Sequence, residues 1–211
     1  MLLLDLNGKV VVPRSATLAL NFATDTWDEA RGEWVYGDGH ICAHWQIDVI
    51  VAADSGENAP PAPTLCYLIP HEFEIPPLDE LPGHEFADRE NQRCEAWYGN
   101  DAPAIVGNVL EFGPWLDLDH ICIEWTGKYH DWDTKRPDAP FRLAGDIAFT
   151  GITARVRDEV DAERFLGTLI PRVDLAALRQ TFGQRPPGWK ADPADRRYRL
   201  PVTWTRVKVN S

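Results

Sequence analysis

Two similar segments decide how this sequence is interpreted: His40-Ile-Cys-Ala-His-Trp45 and His120-Ile-Cys-Ile-Glu-Trp125. Isoleucine and tryptophan favour strands, and in both segments they alternate with side chains of another kind. Because successive side chains of a strand point to opposite faces, the apolar residues of each segment share one face and the histidines and cysteines share the other. The pattern predicts two strands, each with an apolar face for the core and an opposite face of metal-competent side chains.

Most of the flanking sequence also favours strands. Leu2–Leu6 and Lys9–Val12 surround Asn7-Gly8, a dipeptide suited to a two-residue hairpin turn because both residues tolerate positive φ. Helix patterns occur only late, after the capping residues Asp161 and Asp174. We therefore predict an α+β, strand-rich fold, with a large antiparallel sheet or a β-sandwich or barrel and two short helices near the C-terminus.

One long segment, residues 70–93, fits neither pattern. It contains four prolines and seven acidic residues and shows little periodicity. We expect a loop, and a loop of that length is either functional or a surface excursion held by its own apolar side chains.

The chain is interpreted as a single domain, residues 1–211, with an uneven charge. Residues 1–134 contain 24 acidic and 6 basic residues, a formal charge of −18, whereas residues 135–211 contain 9 acidic and 15 basic residues, a formal charge of +6. This division suggests an acidic, β-rich part and a basic, αβ part. An acidic surface repels phosphates, so we expect no nucleic-acid partner, and it favours encounter with a basic protein partner. The alternative is that the two parts complement each other in one fold, or that the acidic residues only keep the protein soluble.

The same composition predicts a cytoplasmic protein. No apolar run approaches the ~20 residues that a membrane helix needs, and the opening Met1–Asp5 lacks the basic flank of a secretory signal. We expect no membrane partner. A chain of this length needs no disulfides and contains no C-x-x-C pair, so its four cysteines are expected to be reduced thiols.

The two similar segments also suggest a metal site. If the two strands were neighbours, Cys42 and Cys122 together with His40 and His120 would offer the two thiolates and two imidazoles that zinc accepts. The alternative is that each cysteine serves as a small apolar residue and each histidine makes a side-chain hydrogen bond. Apart from this zinc hypothesis, we expect no cofactor.

A carboxylate cluster lies beside the segment that starts at His120, where Asp117 and Asp119 precede the histidine. Such a cluster can bind a divalent cation or supply an acid and a base, and it can equally be a solvated acidic rim. The side chains of Asp131 and Asp133, on either side of Trp132, allow the same two interpretations.

Nine tryptophans are more than a chain of this size usually contains. Those in predicted strands are expected in the core. Trp115 and Trp132 fall in predicted loops, where a large, rigid side chain can serve as a binding anchor.

No nucleophile elbow, glycine-rich phosphate loop or H-E-x-x-H sequence occurs. We therefore favour a non-enzymatic, acidic protein-binding module of inhibitor, immunity or adaptor type that engages a basic partner. The alternative is a metal-dependent or small-molecule enzyme that uses the His/Cys strand faces and the Asp117/Asp119 cluster.

Overall fold

The computed structural model describes most of the chain, namely residues 1–6, 8–23, 25–28, 33–36, 42–50, 63–69, 75–87, 94–98, 105–129, 138–156, 162–170, 172–184 and 200–208. The chain forms two compact units, each assembled from three segments. Unit 1 consists of Met1–Ala19, Trp45–Leu68 and Asp79–Thr150; unit 2 consists of Leu20–His44, Ile69–Leu78 and Gly151–Ser211. The charge boundary near residue 134 therefore falls inside unit 1 and coincides with neither end of that unit.

Within the described residues, fourteen strands dominate: β1 (Leu3–Leu6), β2 (Lys9–Val11), β3 (Ser15–Ala23), β4 (Asp25–Asp28), β5 (Glu33–Tyr36), β6 (Cys42–Ile50), β7 (Pro63–Ile69), β8 (Glu85–Ala87), β9 (Cys94–Tyr98), β10 (Ile105–Trp115), β11 (His120–Tyr129), β12 (Ala139–Val156), β13 (Leu178–Phe182) and β14 (Leu200–Arg206). The helical elements are α1 (Ala162–Leu169) and two 3-10 turns, Leu78–Glu80 and Leu175–Ala177.

Most of these strands join one sheet, in the order β8-β10-β11-β12-β3-β6-β7-β9. β1 pairs with β12 and β2, and β14 pairs with β12 and β13, while β4 and β5 form a separate two-stranded ribbon. The pairs β10–β11, β11–β12 and β12–β14 are antiparallel. The predicted strand-rich fold with a large antiparallel sheet is confirmed.

The alternation predicted for the segment from His120 to Trp125 is confirmed in β11. Ile121, Ile123 and Trp125 are buried, whereas the residues between them are partly exposed. The Trp125 ring packs on that of Phe141, with 4.6 Å between the ring centroids. Aromatic pairs of this kind add to the stabilisation that burial of their apolar surface supplies.

The segment from His40 to Trp45 contributes to both units, and its described apolar residues are likewise buried. In unit 1, Trp45 is fully buried, and its ring lies 4.8 Å from that of Phe112. In unit 2, Ala43 is buried and His44 is partly exposed. His40 and Ile41 lie outside the described residues.

The N-terminal hairpin is confirmed as predicted. Leu6 pairs with Lys9, and Gly8 has a φ of 80°, which glycine adopts without strain. The side chain of Asp5 supports the turn, since its Oδ1 accepts a hydrogen bond of 2.8 Å from the Gly8 N–H. Asn7 lies outside the described residues.

The segment predicted as a long loop contains a strand. β8 pairs with β10, and Phe86 of β8 contacts the rings of Trp45 and Phe112 in the core of unit 1. A strand of three residues is too short to show an alternating pattern, so no local signal marks it in the sequence. What holds β8 in place is a pairing with residues more than twenty positions away.

Unit 2 contains the described helical residues that follow β12. The first predicted helix is confirmed as α1, whose Phe165 and Leu166 are buried; its proposed cap, Asp161, lies outside the described residues. The other predicted helix begins as expected, because Asp174 accepts a hydrogen bond from the Ala176 N–H. It ends after one 3-10 turn, and the chain continues as β13, which pairs with β14.

One position near the middle of β12 requires glycine. Gly151 has a φ of 119°, and a Cβ there would lie 2.5 Å from the carbonyl oxygen of Trp204. The close approach of β14 to β12 therefore requires glycine at this position.

Among the described residues of unit 1, one polar side chain is buried in the core. Asn108 follows Gly107, which has a φ of 62° at a shift in the β10–β11 register. Its Oδ1 accepts a 2.7 Å hydrogen bond from Trp125 Nε1, and its Nδ2 donates a 2.9 Å bond to the Ile105 carbonyl. A Cβ on Gly127 would lie 3.2 Å from that Oδ1, so glycine leaves room for the amide. The Asn108 side chain therefore supplies a hydrogen-bond partner both to the backbone of the bulge and to the buried Trp125 indole.

We expect Asn108→Ala to lower the free energy of unfolding by about 1–3 kcal/mol, because it leaves the buried Trp125 N–H without an acceptor. Urea denaturation of Asn108→Ala, Trp125→Phe and the double variant measures this. The double variant should lose less than the sum of the two single variants. Additive losses would show that the two side chains do not interact.

Candidate functional site

The sheet of unit 1 has an opposite face, formed by the side chains that alternate with the buried ones. We call this the outer face, and it carries Glu85 of β8, Glu111 of β10, Glu124 of β11, and Arg142 and Asp146 of β12. Glu111, Glu124 and Arg142 lie between buried neighbours, and Asp146 precedes the buried Ile147. Glu85 follows the exposed His84, and its pairing with Glu111 places it on the same face. Strand periodicity therefore places them on the outer face.

Three of these residues, all glutamates, stand in line across three adjacent strands. Glu85 pairs with Glu111, and Glu111 pairs with Glu124. Directly opposite residues of antiparallel strands point to the same face, with about 4.5–5.5 Å between their Cβ atoms. We call Glu85, Glu111 and Glu124 the carboxylate row. Like charges placed directly opposite each other destabilise a sheet, so this row is a feature that the fold tolerates at a cost.

One end of the carboxylate row is paired with a cation. Arg142 Nε donates a 2.6 Å hydrogen bond to Glu124 Oε1. This bond lowers the pKa of Glu124 and raises that of Arg142, each because the bond favours the charged form. Within the described residues, no ion pair is recorded for Glu85 or Glu111. Two of the three carboxylates are therefore open to a cation from outside the described residues.

Sequence reasoning missed the carboxylate row. The three glutamates are 26 and 13 positions apart, and only the strand register brings them together. One local pattern could have indicated that two of these glutamates share a face. Glu111 lies between the apolar Leu110 and Phe112, and Glu124 lies between the apolar Ile123 and Trp125.

The predicted cluster of Asp117, Asp119 and His120 is brought together at the turn between β10 and β11. Asp117 Oδ1 accepts backbone hydrogen bonds from Asp119 (3.0 Å) and His120 (2.8 Å). It also lies 3.1 Å from His120 Nδ1, which in turn lies 3.4 Å from Asp119 Oδ1. One ligand atom from each of the three residues lies within 4.8 Å of the others. Two oxygens and one nitrogen at such distances are a donor set that zinc accepts.

Electrostatics within this turn favour the charged forms of its side chains. The hydrogen bond to Asp117 raises the pKa of His120 above its ordinary 6.5. The pKa of Asp117 is lowered, first by the backbone hydrogen bond from Asp119 and further by the His120 side chain. All three side chains are well exposed, and the bonds that hold them also serve to close the turn.

The four-residue zinc hypothesis required β6 and β11 to be neighbours, and the sheet order places β12 and β3 between them. Cys122 belongs instead to the outer face, where its Sγ lies 3.8 Å from Asp146 Oδ1. Burial, and then the Asp146 charge, raise the pKa of Cys122. A raised pKa favours the neutral thiol, whereas a metal ligand or nucleophile needs the thiolate. His40 and the Cys42 side chain lie outside what the structure describes.

The segment from His40 to Trp45 supplies a polar contact in unit 2. His44 Nε2 lies 3.3 Å from Asn21 Nδ2, and Asn21 Oδ1 accepts a hydrogen bond from Thr153 Oγ1.

Trp115 packs against Phe149 edge-to-face, with 5.5 Å between the ring centroids, and is half-buried. Its ring is thus engaged within unit 1. The remaining binding residues predicted from the sequence lie outside the described residues: Asp131, Trp132 and Asp133.

Comparison of the chain with protein-family models, with curated proteins and with solved structures found no match. In the part of the chain that the structure describes, no helix has the length and apolar character required to cross a membrane.

The pKa shifts at the turn between β10 and β11 predict how the stability of the fold depends on pH. Because the folded pKa of His120 is raised, its protonation stabilises the fold below pH 6.5, and that contribution is lost as the pH rises through the folded pKa. Because the folded pKa of Asp117 is lowered, its ionised carboxylate stabilises the fold above pH 3.8, and that stabilisation is lost as the pH falls through the folded pKa.

Nuclear magnetic resonance titration of the His120 ring should give a pKa above 6.5 that falls in Asp117→Asn. Asp119→Asn is the matched control, and it should lower the pKa less because Asp119 is the more distant carboxylate. An equal or larger effect of Asp119→Asn would contradict the assigned geometry.

Proposed function

We propose that this chain is a non-enzymatic, acidic protein-binding module, of inhibitor, immunity or adaptor type, that receives a basic segment of another protein on its outer face. The observation that carries the proposal is the register that sets Glu85, Glu111 and Glu124 directly opposite one another. Lysine or arginine side chains from a partner would replace the repulsion between these carboxylates by attraction.

The existing contact between Arg142 and Glu124 illustrates the chemistry that a partner would supply. A guanidinium already pairs with one end of the carboxylate row at 2.6 Å. A partner's lysine or arginine at Glu85 and Glu111 would extend the same pairing across β10 and β8.

An excess of acidic residues in unit 1 and in the first two thirds of the sequence supports a basic partner. Asp79 and Glu80, which precede β8 in the sequence, are exposed acids of the same unit. Residues 1–134 carry a formal charge of −18. Such a surface raises the rate of association with a basic protein and repels acidic proteins, so it favours basic partners over acidic ones.

The test is to capture binding proteins from the native host at low salt and then titrate the purified partner against variants. We expect a basic partner whose affinity falls as salt rises, and at least about tenfold weaker binding by the double variant Glu85→Gln/Glu111→Gln. Glu163→Gln, on the exposed side of α1, removes a carboxylate from unit 2 and serves as the control.

Two results would contradict the proposal. One is a partner whose affinity does not depend on salt. The other is equal binding by the wild type and the Glu85→Gln/Glu111→Gln variant, because the carboxylate row would then lie outside the interface.

A second candidate function, metal-dependent chemistry, is favoured by the three donor atoms of Asp117, Asp119 and His120 within 4.8 Å. A zinc ion held there would compete with the proton on His120 Nδ1. The titration of His120 repeated with added zinc separates the candidates: a lowered apparent pKa supports the metal site, and an unchanged one excludes zinc at this turn.

A further inference from the structure

The sheet of unit 2 carries a group of polar side chains on the face opposite its core. In this unit β14 lies between β13 and the part of β12 that starts at Gly151. Val202 and Trp204 of β14 are buried, and Trp204 Nε1 donates a 2.8 Å hydrogen bond to Gln180 Oε1 of β13. Because side chains alternate along a strand, the opposite face carries the residues that lie between and beside these three: Arg179, Thr181, Thr203 and Thr205.

The strand register brings these four side chains together. Thr203 stands opposite Thr181, and Thr205 stands opposite Arg179. The Cβ atoms of directly opposite residues are about 5 Å apart, and residues two apart on one strand are separated by about 6.6 Å. The four residues therefore occupy the corners of a small rectangle on one face. We call Arg179, Thr181, Thr203 and Thr205 the arginine–threonine patch.

The donors of the arginine–threonine patch are not engaged within the described part of the chain. Among the described residues, no hydrogen bond or ion pair is recorded for the side chain of Arg179, Thr181 or Thr203. Thr205 Oγ1 is buried and has no hydrogen-bond partner among those residues either. Buried polar atoms in native proteins rarely lack a partner, and a bound water or ion is one explanation where they do.

The Thr205 hydroxyl can turn toward a ligand over the patch. A Cβ on Gly151 would lie 3.2 Å and 3.3 Å from the methyl groups of Thr203 and Thr205, so glycine leaves space beside both side chains. A threonine side chain exchanges its methyl and hydroxyl positions by rotation about the Cα–Cβ bond. For Thr205 this rotation breaks no hydrogen bond to a described residue, so a ligand would gain a donor at little cost.

The charges around the patch favour an anion. The strand segments 151–156, 178–182 and 200–206 form this part of the sheet, and their sequences contain three arginines and no aspartate or glutamate. Residues 135–211 carry a formal charge of +6, although the whole chain carries −12. Because salt screens charges beyond about 8 Å, neighbouring residues decide more than the net charge does which ligand the patch attracts.

We propose that the arginine–threonine patch binds a phosphoryl group, either as free phosphate or as a phosphate monoester. Seen from above the sheet, a group at the centre of the rectangle lies about 4 Å from each of the four Cβ atoms. It is then within reach of three hydroxyls and one guanidinium. Arginine recognises phosphate with two parallel N–H donors, which adds geometric selectivity to the attraction between the charges.

The number of donors favours a phosphoryl group over a carboxylate. A phosphoryl group has three terminal oxygens and a charge of about −1.5 to −2 at pH 7. It can therefore accept hydrogen bonds from several corners of the patch at once. A carboxylate has two oxygens in one plane and a single charge, so it would leave part of the patch without an acceptor.

This inference does not rest on the proposed function. The arginine–threonine patch belongs to unit 2, whereas the carboxylate row belongs to unit 1. The charges of the two sites are opposite, so variants of one site test it without altering the residues of the other.

The test is a titration of the full chain with inorganic phosphate, glycerol phosphate and acetate at constant ionic strength, followed by NMR of the backbone amides. We expect saturable shifts of β13 and β14 signals with a Kd of about 1 mM or less for a phosphoryl ligand, and no saturation by acetate up to about 50 mM. Tighter binding of glycerol phosphate than of inorganic phosphate would identify a monoester as the ligand. Equal binding would identify the free ion, and either result supports the inference.

Variants assign the binding to the patch. Arg179→Gln should weaken phosphate binding at least about tenfold, and Arg179→Lys less, because lysine keeps the charge but loses the paired donors. Thr181→Val/Thr203→Val should also weaken it, because valine has a similar shape but no hydroxyl. Arg14→Gln and Thr126→Val are the matched controls, since they remove the same charge and a strand hydroxyl from unit 1.

Three results would overturn the inference. Shifts of the β13 and β14 signals that do not saturate would show that the patch has no phosphate site. Equal binding of acetate and phosphate, or equal weakening by Arg14→Gln and Arg179→Gln, would show only a general attraction of anions to basic residues.

Discussion

In unit 1, β10, β11 and β12 must place their large apolar side chains on the same face of one sheet, and the rest of the structure depends on this constraint. The ring contacts of Trp45 with Phe112 and of Trp125 with Phe141 form only because the strands that carry these residues keep a common phase. A slip of one residue in any strand would turn its aromatic residues to the outer face. The register of β10 and β11 shifts at the bulge that contains Gly107. There the Asn108 side chain bonds to the backbone of the bulge and to the buried Trp125 indole.

The same constraint creates the candidate site. Once Leu110, Phe112, Ile123 and Trp125 point into the core, the glutamates between them have no position except the outer face. The register of β8, β10 and β11 then sets three carboxylates directly opposite one another. A sheet gains nothing in stability from this arrangement, and this is the reason why we propose a binding role for the carboxylate row.

Several parts of the structure could be predicted because their signals are local. Six alternating residues were enough to assign the two faces of β11, and Asn7-Gly8 was enough to place the first hairpin. The helix predicted after Asp174 was wrong beyond its first turn, because Leu178 and Phe182 satisfy helical spacing but also share one face of a strand. Pairing with β14, a segment about twenty residues away, decided between the two structures.

The candidate site could be predicted only in part, for the same reason. Asp117, Asp119 and His120 are neighbours in the sequence, so their meeting at one turn was foreseeable. The carboxylate row joins residues from three strands. The zinc hypothesis needed β6 and β11 to be neighbours, and the order of strands in the sheet separates them. Non-local pairing of this kind leaves no trace in the composition or spacing of a single sequence.

The fold bears a repulsive row of carboxylates on its outer face. Urea denaturation of Glu111→Lys at low and high salt tests it most directly, because a lysine between Glu85 and Glu124 replaces two repulsive cross-strand pairs by two attractive ones. We expect the variant to be more stable than the wild type at low salt, by about 0.2–1 kcal/mol for each pair, with a gain that shrinks as salt rises. A variant that is no more stable, or a gain that is indifferent to salt, would contradict it.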